Sequence, residues 1–378
     1  MTQSLAQDAI AQSAINHRPT VLIVDDEAAP RAALTQILKQ NFNILTAENG
    51  GRALAVINDH GVDLITLDLK LPDTSGSEIL KEIKRTHREI EVIMVTAYGT
   101  LQSAMDCVRH GAAGFLLKPF NASEMLSISL QTSHKKQRLD TLRRAMAEVE
   151  ALWQPDPAGT NAWQALMARY ASQVKSGLLE VSSRETTSPL IQLISDLLEA
   201  KDRHLVNHAN RVSFYATLVA NQLQLPLAEQ QHLALGALAH DLDLINGDSS
   251  FLLTQDADRL CHRPDIGARI GRAIGLPADA VQIIALHHER WDGSGYPFAL
   301  KEEQIPYLAR LVALAQTFDE LTAEHSGATP VSLTKALALI EEQAGRAFDP
   351  CLVEVFCRTL RDQPPHIAYA SPTSNSMH

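Results

Sequence analysis

The chain has 378 residues, room for two or three domains, and its 45% hydrophobic and 20% charged content is that of a globular protein. A formal net charge of −11 argues against a nucleic-acid-binding output, which needs a basic face, so no DNA partner is expected. No run approaches the 18 or so apolar residues of a membrane span.

Residues 1–17 lack the basic start and apolar core of a signal peptide and are read, with Arg18, as a disordered leader (1–18). The cysteines Cys107, Cys261, Cys351 and Cys357 show no CxxC spacing, which is expected of reduced thiols in a cytoplasmic protein.

Two short apolar runs, Val21–Asp26 and Leu64–Asp68, end in acids. In a parallel α/β sheet such ends lie side by side, so Asp25, Asp26 and Asp68 are expected in one crevice at the carboxyl edge of the strands. Three like charges need a cation, and oxygen ligands alone favour a hard divalent ion such as Mg²⁺, the ion of phosphate chemistry. Further apolar runs at Ile44–Ala47, Val92–Thr96 and Phe115–Leu117 alternate with helical spacings such as Ala33, Leu34, Ile37, Leu38, which predicts a five-stranded parallel domain. Thr96 and Lys118-Pro119 end the fourth and fifth strands, so a hydroxyl and an ammonium face the acids.

With VDDE, LDLKLP, VTAYG and LKPF in that order, residues 19–135 resemble the receiver domain of two-component response regulators. That resemblance implies a doubly wound, flavodoxin-like fold and Asp68 as phosphoacceptor for a histidine kinase. It further implies Mg²⁺ held by Asp25, Asp26, Asp68 and the Lys70 backbone carbonyl, Thr96 and Lys118 meeting the phosphoryl group, and Phe115 as the aromatic switch. The chemistry is coherent: a carboxylate attacks phosphorus well only when cations offset the charge on the transferring group.

Residues 136–188 read as a helical connector. Leu139, Leu142, Met146, Val149 and Trp153 form an a/d seam that could pair with a second chain as a homodimer or pack on its own domain. Gln154–Gly159 breaks the helix, residues 160–182 look helical again, and Ser182–Pro189 is turn-like. From 189 to 362 strand-like runs vanish and helical spacings dominate, predicting an all-α domain. Residues 363–378, rich in Pro, Ser and Asn, read as a disordered tail.

Set into the helical domain are His208, His240-Asp241 and His287-His288, a set suited to a metal site built from neighbouring helices. HHERWDGSGYP (His287–Pro297), HxxRV at His208, AHD at Ala239–Asp241 and FDP at Phe348 resemble the HD-GYP output domain of the HD metallohydrolase superfamily. The resemblance implies a cyclic di-GMP phosphodiesterase with two or three divalent metals, such as Fe or Mn, and a signature loop of Gly293, Gly295, Tyr296 and Pro297.

Three departures bear on activity. Leu244 stands where the family has a phosphate-binding lysine, Arg263 where it has a ligand histidine, and Gln316 where it has a ligand aspartate. His262, one residue early, cannot replace the lost histidine, since one helical step turns a side chain by about 100°. The stretch between Asn246 and Arg259 also lacks the family's usual pattern. Two functions follow: a degenerate output that binds nucleotide or a partner such as a diguanylate cyclase, or an active phosphodiesterase.

Overall fold

The computed structural model describes residues 18–97, 100–152, 189–246, 263–323 and 329–362. The leader 1–17, Tyr98 and Gly99, the Gln154–Gly159 break, the expected 160–182 helix, most of the 182–189 turn and the tail 363–378 lie outside them, as does 247–262. The chain divides into two compact units between Arg138 and Leu139.

In the first unit, β1 (Thr20–Val24), α1 (Ala28–Leu38), β2 (Asn43–Ala47), α2 (Gly50–Asp59), β3 (Leu64–Leu67), α3 (Gly76–Thr86), β4 (Glu91–Thr96), α4 (Leu101–Arg109) and β5 (Gly114–Leu117) alternate; α5 (Ala122–Leu152) follows and belongs to the second unit from Leu139 on. The sheet is all parallel in the order β2-β1-β3-β4-β5. Because strand side chains alternate faces, Leu22, Val24, Ile65, Leu67, Val92 and Met94 join one core with α2 and α3. Val21, Ile23, Leu64, Ile93 and Val95 join the other with α1 and α5.

Four strands begin one residue before their apolar runs, at Thr20, Asn43, Glu91 and Gly114, because backbone pairing continues past the hydrophobic stretch. Glu91 is tolerated there because Lys84 Nζ lies 3.4 Å from its carboxylate.

The second unit is helical: α6 (Pro189–Lys201), α7 (Arg203–Gln222), α8 (Leu227–Ala239), a 3-10 turn at Leu242–Asn246, α9 (Arg263–Ala273), α10 (Ala278–Leu286), a 3-10 turn at Glu302–Gln304, α11 (Tyr307–Thr322), α12 (Leu333–Glu342) and α13 (Pro350–Asp362). Helix α7 serves two cores. Val206 and Ala209 face one, Val212, Tyr215, Ala216 and Val219 the other. Gly236 lets α8 and α10 close, since a Cβ there would come 2.5 Å from Ile283 Cδ1 and 3.1 Å from Ala280 Cα. That close approach sets the C-terminal ends of α8 and α10, His240 and His287, side by side.

The a/d seam takes the second of its two readings where it is described. Leu139, Leu142 and Met146, at 1%, 0% and 5% exposure, are buried in one core with Ile194, Leu197 and Leu198 of the same chain. Apolar area at those three residues is therefore covered within the chain and not by the seam's other reading, a second copy; the side chains of Val149 and Trp153 lie outside the description. Arg143 Nε reinforces the packing by donating to Ala200 O at 3.1 Å, at the end of α6. Leu142→Ala should destabilise the second unit by about 2–5 kcal/mol through the cavity it leaves. Hydrogen exchange should show faster opening of α6 and α7 and unchanged protection of β1 to β5.

Candidate functional site

Register places the strand-end residues. Val24 pairs with Leu67, Leu67 with Met94, and Thr96 with Leu117, so the residues that follow meet at one edge. Oxygens of Asp25, Asp26 and Asp68 lie within 4.8 Å of one another, with Asp25 and Asp68 buried and Asp26 exposed. Lys118 Nζ donates to Asp25 Oδ2 and to Asp68 Oδ2, each at 2.6 Å. Burial opposes its charge, but the two carboxylates outweigh burial and hold the Lys118 pKa above its ordinary value.

The acids are oriented by backbone: Glu27 N–H donates to Asp25 Oδ1 at 3.0 Å, and Lys70 N–H to Asp68 Oδ1 at 3.2 Å, which brings the Lys70 backbone beside the site. Thr96 is fully buried at the end of β4, and Phe115 packs half-buried on the α2/α3 core. Gly76 escaped the sequence reading. Its missing side chain lets the start of α3 lie on the end of β3, for a Cβ would stand 2.0 Å from Asp68 O. The donor set, three carboxylates with oxygen ligands only, suits Mg²⁺.

In the second unit His208 Nε2, His240 Nε2 and Asp241 Oδ2 form a triangle with edges of 3.2, 3.3 and 3.7 Å. The tautomers follow from the partners of the Nδ1 atoms. His208 Nδ1 donates to Asp319 Oδ2 at 2.7 Å and His240 Nδ1 to Ala237 O at 2.8 Å. His287 Nδ1 donates to Ile284 O at 3.0 Å and Ile283 O at 3.1 Å, while its buried Nε2 has no partner among the described residues.

Neutral rings so arranged point Nε2 lone pairs at one another, a contact that repels until a proton or metal cation lies between. Two donors each about 2.1 Å from one ion stand roughly 3 to 3.5 Å apart; two edges of the triangle lie in that range and the third, at 3.7 Å, just beyond it, a size that suits a single divalent ion. The negative ends of α8 and α10, capped by His240 and His287, also favour a cation.

Charge follows the same logic. Burial works against ionising Asp241, but His240, with smaller help from His208 and His287, holds it far below the carboxylate range. Burial likewise opposes charge on His240, and Asp241 outweighs it and raises the pKa. His287 is depressed well below 6.5 by burial and then by His288 and His240. His288 is pushed down to about 4, chiefly by burial. His288 is not one of the triangle's donors. It packs on His287, with ring centroids 3.9 Å apart, and stacks on Tyr296 at 4.8 Å.

The loop of Gly293, Gly295, Tyr296 and Pro297 folds back on the histidines. A Cβ on Gly295 would lie 2.3 Å from Arg290 N and 2.6 Å from His288 O, and Gly293 takes a φ of +79° that glycine adopts freely. Glu289, 4% exposed, accepts the Phe298 and Leu300 N–H groups at 2.7 and 3.0 Å. Its carboxylate thus anchors the loop. Trp291 at the loop base and Tyr307 of α11 flank the Arg310 guanidinium at 5.5 and 5.2 Å, and Arg310 pairs with Asp349 at 2.6 Å, which ties the FDP segment to the loop.

The substituted positions are also located. Leu244 sits half-buried in the 3-10 turn just past Asp241. Arg263 opens α9, its side chain outside the description. Gln316 Nε2 donates to Glu320 Oε1 at 2.8 Å, one turn before Asp319. Asp319 and Arg211 are the partners that sequence reading left without a role. Their signals were Asp319 as the kept aspartate beside Gln316 in AQTFDEL and Arg211 as the arginine of HxxRV, neither of which names a partner.

Residues 21–129 match the family described as the response regulator receiver domain, and residues 192–352 match the HD domain. The chain is 30% identical over 353 residues to the "Cyclic di-GMP phosphodiesterase response regulator RpfG" of Xanthomonas campestris pv. campestris, covering 89% of this chain and 87% of that protein. It is 28% identical over 356 residues to a "Cyclic di-GMP phosphodiesterase" of Thermotoga maritima, covering 90% of each. The chemotaxis protein CheY of Bacillus subtilis is 38% identical over 108 residues, 28% of this chain and 90% of that one. With an all-parallel receiver fold, an acidic crevice closed by lysine and a helical unit built around a His-Asp cluster, the chain belongs to the response regulators in which an N-terminal receiver precedes a C-terminal HD domain.

Proposed function

We propose that the chain is a phosphorelay response regulator, phosphorylated on Asp68 by a histidine kinase, whose HD-GYP-like unit is degenerate. That unit acts in cyclic di-GMP signalling by binding nucleotide or a partner protein, such as a diguanylate cyclase. The observation that carries the first half is the Lys118 ammonium held 2.6 Å from both Asp25 and Asp68.

Mg²⁺ held by Asp25, Asp26, Asp68 and the Lys70 carbonyl would supply charge neutralisation when bound. Asp68 provides the attacking carboxylate oxygen, the donor's imidazole leaves, and Lys118 moves from the carboxylates to the incoming phosphate oxygens. Thr96 donates its hydroxyl to the same phosphate, and Phe115 shifts with it. The surface beside Phe115 biases α5, which enters the output unit's core through Leu139, Leu142 and Met146.

For the output unit, the triangle of His208, His240 and Asp241, with His287 beside it, supplies donors for one divalent ion such as Mn²⁺ or Fe²⁺. The carboxylate that would bridge a second ion is Gln316, whose amide is engaged with Glu320. Leu244 offers the phosphate no charge. The intact HHERWDGSGYP stretch and the relatives' phosphodiesterase names favour the second reading, an active hydrolase.

Metal analysis of the purified chain, paired with cyclic di-GMP hydrolysis in added Mn²⁺ or Fe²⁺ and a phosphodonor, separates the two. One metal or fewer per chain and no product is the expected result. Two metals and steady product that vanishes in His240→Ala would overturn it.

A further inference from the structure

We propose that Asp319 and Arg211 are positioning residues that set His208 as an Nε2 donor, a role that rests on the reading above that the His208–His240–Asp241 cluster holds a divalent cation. Neither residue belongs to the triangle. Asp319 is 0% exposed on α11, and both its oxygens are occupied: Arg211 Nε donates to Oδ1 at 2.6 Å, Arg211 Nη2 to Oδ2 at 2.9 Å, and His208 Nδ1 to Oδ2 at 2.7 Å.

The three imidazoles are not oriented in the same way. His240 and His287 use carbonyls of their own helices, three or four residues back, acceptors that exist whenever α8 and α10 are folded. His208 on α7 uses a side chain 111 residues away. Its ring is therefore set by how α7 packs on α11.

An ionised carboxylate only accepts, so it forces the proton onto His208 Nδ1 and the lone pair onto Nε2, which stands 3.2 Å from His240 Nε2. Arg211 holds that carboxylate in plane by donating to both of its oxygens. A guanidinium offers two parallel N–H groups that match a carboxylate and stays charged at any working pH. Arg211 lies three residues after His208 on the same helix, so α7 supplies both the ring and its brace while α11 supplies the link between them. Without Arg211 the carboxylate has one partner in place of three contacts and rotates. The imidazole then samples the flipped ring, which points Nδ1 at the cluster.

The test uses the full-length chain and the variants Arg211→Gln, Arg211→Lys and Asp319→Asn. Mn²⁺ affinity is measured by chelator competition with paramagnetic detection, and imidazole tautomers are read in the metal-free chain by long-range ¹H–¹⁵N spectra. Loss of an outer partner of a metal-bound histidine typically weakens binding by about 10–100-fold. Expected are a loss of that size in Arg211→Gln and Asp319→Asn, a smaller loss in Arg211→Lys, and disappearance of the single Nδ1–H pattern of His208 while those of His240 and His287 persist.

A purely structural role would lower the unfolding midpoint yet leave the affinity of the folded chain and the His208 pattern as in wild type, and that result would overturn the proposal. If Arg211→Gln does not fold, the near-isosteric Asp319→Asn decides by the same two readouts. Should wild type bind no Mn²⁺, the metal reading itself fails, and the tautomer spectra alone decide the positioning role.

Discussion

Asp68→Asn should take up no phosphoryl group from a small phosphodonor such as acetyl phosphate with Mg²⁺, where the wild-type chain gains one. The reason is local and chemical. The amide of asparagine is not a nucleophile towards phosphorus, and no other carboxylate replaces Asp68 beside Lys118. Asp25 is the nearest competitor, also 2.6 Å from that ammonium, yet it is the more deeply buried of the two, its side chain 2% exposed against 9% for Asp68. The fold should survive, since an asparagine keeps the Lys70 N–H acceptor and relieves one like charge among three. Phosphate-affinity electrophoresis reads the outcome directly. Full modification of Asp68→Asn would show that another residue is the acceptor, and with it the assignment of this crevice would fall.

The second large effect is expected at the other end of the chain. Asp241→Ala should weaken Mn²⁺ binding by about 100-fold or more, beyond the range typical of outer partners. Asp241 is the one anion in a triangle otherwise made of two imidazoles, and its Oδ2 lies 3.3 Å from His240 Nε2 and 3.7 Å from His208 Nε2. Without it, only imidazoles remain to desolvate a dication. Folding should be little changed, because the carboxylate touches the cluster histidines and closes no backbone hydrogen bond among the described residues. Equal affinity in Asp241→Ala and wild type, measured by calorimetry, would exclude this cluster as the metal centre.

Much of the first unit was legible before any coordinates. Each acid of the crevice follows its own short apolar run, and parallel pairing does the rest, so Asp25, Asp68, Thr96 and Lys118 could be placed from runs and strand ends alone. What escaped was Gly76. Its importance is a steric fact about α3 against Asp68 O, visible only when the helix is in place.

In the second unit the five candidate ligands were legible as residue types within helices, but their roles were not. His288 turned to stack on Tyr296, and Glu289, next to it, became a loop anchor. The a/d seam of α5 was ambiguous in principle. A stripe of apolar residues states that it will be covered, and not by what; the core around Leu142 shows that the same chain covers it.

Amino-acid order alone established two kinds of unit, a doubly wound receiver and an all-α HD-type domain, and identified the residues with chemistry to offer. These are properties of local runs, strand ends and motif spacing. Which atoms those residues present was decided by packing: the His208 tautomer by a carboxylate 111 residues away, and the approach of His240 to His287 by Gly236 against Ile283. Side chains far apart in the chain acquire a shared geometry only when their helices are fixed against one another. A lone pair's direction is part of that geometry.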